Sequence, residues 1–93
     1  MQLRYTFRFQ QIGQTYLGAA VGQNAHLFNG VLQLNEVGHF IVSRLAELPD
    51  IPEQDIMSRL TDSLTNEYAV DRSTAQTAVQ DVLNYLKAEQ VLD

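Results

Sequence analysis

At Asn35 the spacing of apolar residues changes its period, and that change divides the 93-residue chain into two kinds of structure. Before it, Leu3, Tyr5, Phe7 and Phe9 alternate with Arg4, Thr6, Arg8 and Gln10, the two-residue repeat of a half-buried strand. From there on, Leu34, Val37, Ile41, Leu45 and Leu48 recur every three or four residues, which gathers them on one face of a helix. A chain of this length has material for one compact core and too little for two. The two halves are therefore expected to bury their apolar faces together, in a single domain over residues 1–93.

The expected order is three strands followed by three helices. Gly13 ends the first alternating run, and Thr15 to Val21 reads as a second strand in which Gly18 marks a bulge or a close backbone approach. Gly22-Gln23-Asn24 is a turn signal. Ala25 to Leu34 supports a third strand, with Asn29-Gly30 either inside it or forming a two-residue hairpin turn that splits it. Asn35 is placed to cap a helix over about residues 36–47, and Pro49 and Pro52 bracket a break. Ile56, Leu60 and Leu64 then stripe a second helix over about residues 53–66, opened by Pro52 and Glu53. Asp71 or Ser73 caps a third over about residues 73–90, Ser73 standing at capping-box spacing from Gln76 ahead of Ala75, Ala78, Val79, Val82, Leu83 and Leu86. The pattern predicts an α+β fold, a three-stranded antiparallel sheet followed by three helices, of the winged helix-turn-helix type.

Composition narrows the function classes. With no cysteine, thiolate zinc, iron–sulfur ligation and thiol nucleophiles are out of reach. The formal charge is −5, and the basic residues Arg4, Arg8, Arg44, Arg59, Arg72 and Lys87 are scattered, so the phosphate-neutralising patch of a nucleic-acid binder is missing. No apolar run approaches the roughly 18 residues of a membrane span, and residues 1–10 lack a signal-peptide apolar region. A cytoplasmic protein without membrane or nucleic-acid partners is expected. His26 and His39 have no neighbouring ligand at metal spacing; His39 is expected as a partly exposed surface residue, and His26, in the third strand, is the one more open to ligand contact. Asp50 and Glu53 suit a helix start, and Asp55, Asp62 and Glu67 fall on polar helix faces. No phosphate loop, nucleophile elbow or paired-histidine motif occurs. The expectation is a non-enzyme that uses no cofactor or metal.

What remains is the sheet itself. A small antiparallel sheet has edges, each a row of unpaired N–H and C=O groups that an extended peptide can complete. Tyr16 and Tyr85 are equally suited to walling a groove and to ordinary packing, while Tyr5 and Tyr68 read as core or core-edge residues. Two rival readings use the same fold. A winged-helix DNA-binding regulator would need a basic last helix, but Asp81 and Glu89 balance Arg72 and Lys87 there. A homo-oligomeric interaction module, such as a homodimer, would pair the edge with a second copy.

The stretch from Ile12 to Leu45, and above all Leu34-Asn35-Glu36-Val37-Gly38-His39-Phe40-Ile41, resembles the PqqD-like family of precursor-peptide recognition elements, with its L-N-x-x-G-x-x-I signature. Phe28-Asn29-Gly30-Val31 precedes the signature; Glu67-Tyr68-Ala69-Val70-Asp71 resembles the family's break before the last helix, and Val79, Val82, Leu86 and Val91-Leu92 its closing pattern. The chain departs at His39 and Val42, where small residues and Trp respectively are frequent. The resemblance implies a winged-helix-like peptide chaperone without catalysis of its own. Such a domain holds the leader segment of a ribosomally made precursor peptide between the third strand and third helix and delivers it to a modifying enzyme, a radical-SAM protein in the namesake pathway. Carried over by position, the peptide-binding residues are Ala25, His26, Leu27, Phe28, Asn29, Gly30, Val31 and Leu32 of the third strand, with Gln76, Gln80, Leu83 and Lys87 on the exposed side of the third helix.

Overall fold

A computed structural model describes all 93 residues. It contains strands β1 (Thr6–Ile12) and β2 (Thr15–Val21), a single 3-10 turn (Ala25–Leu27), strand β3 (Leu32–Leu34), and helices α1 (Glu36–Ala46), α2 (Glu53–Glu67) and α3 (Arg72–Ala88). The strands form one antiparallel sheet in the order β1-β2-β3, so the expected α+β class holds, with β2 central and β3 at an edge.

β1 and β2 form a hairpin from Thr6↔Val21 to Ile12↔Thr15. Its two-residue turn starts at Gly13, whose φ of 63° is left-handed and strains any residue with a Cβ. The register sets Phe9 opposite Gly18, and the Phe9 ring fills the space a Cβ on Gly18 would need. Of the bulge or close backbone approach that Gly18 marks in the sequence, the unbroken register excludes the bulge, and the approach is made by a side-chain ring. Phe9, Tyr16, Leu32 and Leu34 lie on the face covered by the helices, and Arg8, Gln10 and Ala19 on the open face.

Two strand expectations are corrected. The first strand begins at Thr6 rather than Leu3, because Leu3 bridges Leu92, with Arg4 N–H donating to the Val91 carbonyl at 2.8 Å and Asp93 N–H to the Gln2 carbonyl at 2.9 Å. The chain's end thus takes hydrogen bonds that a longer hairpin would have used. The third strand is Leu32–Leu34 alone: Ala25–Leu27 is a 3-10 turn, closed by Leu27 N–H to Asn24 at 3.0 Å and Phe28 N–H to Ala25 at 3.2 Å. Asn29-Gly30 is not a hairpin turn either, since the strand after it pairs with β2. The Phe28 ring decides this path. It stacks on Tyr5 at 5.6 Å and meets Phe7 edge-on at 5.7 Å, which pins the segment against the sheet.

All three helices form within two residues of where the periodicity places them. Asn35 accepts from Gly38 N–H at 2.8 Å, and Asp71, not Ser73, caps α3 by accepting from Thr74 N–H at 2.7 Å. The core is made of Leu32 and Leu34 from β3, Ile41, Val42 and Leu45 from α1, Ile56, Leu60 and Leu64 from α2, Ala75, Val79, Leu83 and Leu86 from α3, and Val91 and Leu92. Leu83 is completely buried, which corrects its placement on the exposed side of the helix. A Cβ on Gly38 would stand 3.2 Å from both the Leu34 side chain and Asn35 Oδ1, so glycine lets α1 start close against β3.

Candidate functional site

β3 is paired on one side only. Its middle residue, Gln33, stands opposite Leu17 of β2, yet its N–H turns away from β2 and donates to the Tyr85 hydroxyl of α3 at 2.9 Å. In an antiparallel ladder successive residues direct their backbone groups to opposite sides. Leu32 and Leu34 therefore bond to β2 while Gln33 faces outward, toward α3. No strand of this chain lies beyond β3, so the margin is unoccupied by backbone. A single side chain crosses it.

The position of Tyr85 shows which flank of α3 faces β3. Ala78, Val82, Tyr85 and Glu89 are three or four residues apart, hence on one flank, and all four are half-buried. The opposite flank carries Gln76, Gln80, Leu83 and Lys87. There Lys87 Nζ lies 2.9 Å from Glu53 Oε1 of α2, which turns this flank toward α2. Of the helix residues expected from the resemblance, Lys87 thus pairs with α2 and Leu83 is buried, while the flank that Tyr85 shares with Ala78 and Val82 is the one turned to β3. A signal for them existed in the sequence: the stripe is wider on the Ala78/Val82 side than a helix buried on one face requires.

The strand residues separate in the same way. His26 and Leu27 are exposed on the 3-10 turn that Ala25 opens, away from β3. Phe28 points into the aromatic cluster, Asn29 and Gly30 are exposed, and Leu32 is buried in the core. Val31, just before β3, is 50% exposed, and Leu27, on the 3-10 turn, is 63% exposed.

Elsewhere the surface shows concavities without chemistry. One of about 430 Å³ lies under the start of β1 beside Val42 and Leu45 of α1, and one of about 510 Å³ on the open sheet face among Arg8, Leu17, Val21 and Val31. No three His, Asp or Glu side chains converge as a metal site, and no helix is long and apolar enough to cross a membrane. His39 is partly exposed, as expected, and burial lowers its pKa. Tyr68 has its pKa raised, first by burial and then by its 3.1 Å hydrogen bond to Glu36. Neither group has a reactive partner beside it.

The fold and this margin define a small α+β domain whose last strand and last helix face each other across an unpaired sheet edge. The chain belongs to the PqqD family: the family model described as coenzyme PQQ synthesis protein D (PqqD) matches residues 20–92. No curated protein matches it significantly. Among solved structures, the one titled "TbiB1 in Complex with the TbiA(beta) Leader Peptide" has the same fold, with a TM-score of 0.65 and 24% identity over 100% of this chain and 95% of that one.

Proposed function

We propose that this chain is a non-catalytic recognition domain for a ribosomally made precursor peptide, whose leader segment joins the sheet as a fourth strand beside β3 and lies against α3. The bound peptide is presented to a modifying enzyme, a radical-SAM protein or similar, in the cytoplasm. The observation that carries this reading is the outward Gln33 N–H, facing the Ala78/Val82/Tyr85 flank of α3. Membership of the PqqD family and a fold shared with a protein captured with a leader peptide support it.

Magnitudes say what such a peptide must look like. β3 spans three residues, so Gln33, and Val31 two positions earlier, offer only a few backbone hydrogen bonds. At about 1 kcal/mol net each, these do not repay an association cost of about 4–15 kcal/mol. Apolar side chains on the peptide must supply the rest, at about 25 cal/mol per Å² buried on Ala78, Val82, Tyr85 and Val31.

The test is titration of labelled synthetic 20-residue segments that tile the short reading frames beside this chain's gene, followed by fluorescence anisotropy. At least one N-terminal segment is expected to bind with a Kd near the micromolar range, and Val31→Pro is expected to weaken it while the fold is kept. Absence of binding by every segment, or equal binding by the folded Val31→Pro variant, refutes the strand-addition reading.

A further inference from the structure

We propose that the Tyr85 hydroxyl is a latch on the β3 edge, holding the Gln33 N–H at the point where an incoming strand's carbonyl must bind, so that peptide uptake proceeds by its displacement. The inference rests on the strand-addition reading above and adds a residue to it. An unpaired edge is a liability, open to any extended backbone including that of a second copy. Here the middle donor of a three-residue edge strand is already satisfied at 2.9 Å by a side chain from a different element, 52 positions away in sequence. The phenol oxygen stands in for a peptide carbonyl: it accepts one hydrogen bond at ordinary length and leaves the adjacent carbonyl untouched.

The two parts of Tyr85 have opposite consequences for a peptide. Its ring is half-buried against the core and forms part of the wall an apolar peptide side chain would meet, so it favours binding. Its hydroxyl competes for Gln33 and opposes binding. A peptide able to bond only at Val31 leaves the latch in place, whereas one that continues in register past Gln33 must release it. The latch thereby selects for length and register of the extended segment, and against casual edge pairing.

Tyr85→Phe separates the two parts, because it keeps the ring and removes the hydroxyl. In the peptide-free chain, amide exchange at Gln33 is expected to become about 10-fold faster in this variant, while Leu32 and Leu34, bonded to β2, keep wild-type rates. With the tiled leader segments, Tyr85→Phe is expected to bind about 2- to 10-fold more tightly than wild type, the range of one modest hydrogen bond. In a Gln33→Pro background, which removes the donor at an outward-facing edge position, the same substitution is expected to change nothing. Unchanged Gln33 exchange overturns the latch, and so does equal or weaker binding by Tyr85→Phe to a segment that wild type binds. If no segment binds either protein, the latch falls together with the peptide-binding reading; if segments bind both equally, the latch alone falls.

Discussion

His39 of α1 lies flat on Tyr16 of β2, with ring centroids 4.1 Å apart and planes 8° from parallel, while Phe9 of β1 meets the imidazole edge-on at 4.8 Å. This stack ties the first helix to both strands of the hairpin, and it predicts a pH dependence. Burial lowers the His39 pKa below its ordinary 6.5, so the folded state binds fewer protons than the unfolded one in the window beneath that value. The contribution of His39 to stability is complete above pH 6.5 and is lost as pH falls through 6.5 toward the depressed value. The urea midpoint is expected to drop between pH 7.5 and 5.5 in wild type, and to drop less in His39→Phe, which keeps an aromatic ring there. Equal slopes for the two proteins would rule out His39 as the source.

Gly18 is expected to resist even the smallest substitution. Its Cβ position is filled by the Phe9 ring, and that ring is held by Phe7 at 6.3 Å and by His39. Gly18→Ala should cost about 1–3 kcal/mol in urea unfolding, the usual toll of overpacking, and Phe9→Leu in the same chain should recover part of it.

The two flanks of α3 should separate binding from stability. Val82→Arg puts a long charged side chain on the β3-facing flank and is expected to weaken leader-peptide binding at least about 10-fold, the equivalent of about 1.4 kcal/mol. Lys87→Ala, on the α2-facing flank, should leave the affinity within about twofold and lower stability by no more than the 0–1 kcal/mol of an exposed ion pair. Anisotropy titrations of the two variants distinguish the flanks, and the reverse pattern would place the peptide against α2.

The start of α3 depends on Asp71 rather than Ser73. The Asp71 carboxyl is held below its ordinary pKa chiefly by the hydrogen bond from Thr74, so its charged form favours the helix. Asp71→Ala should lower the urea midpoint more than Ser73→Ala does. Because the folded pKa is the lower one, this contribution is present above the ordinary value of 3.8 and fades as pH falls through it toward the depressed value. The gap between the two variants should therefore narrow in acid.

Much of this molecule is legible in its residues taken one segment at a time. The change of period at Asn35, the cap there and the stripes of all three helices depend on neighbours within a turn, and local chemistry suffices to place them; at Gly18, and between Asp71 and Ser73, the sequence left two alternatives that the structure decided. The family signature around Gly38 is of the same kind, since glycine there answers to Leu34 and Asn35 nearby. Tertiary structure alone settled three things. It shortened the third strand, because Phe28 found Tyr5 and Phe7 and the chain turned to follow. It buried Leu83. It also settled which flank of α3 faces β3, because periodicity shows that the Ala78/Val82 flank is the more apolar one but not which element comes to rest on it. The Tyr85–Gln33 hydrogen bond joins residues with no sequence relation, so this contact, unlike the margin between third strand and third helix that the resemblance implies, came into view only once the chain was folded.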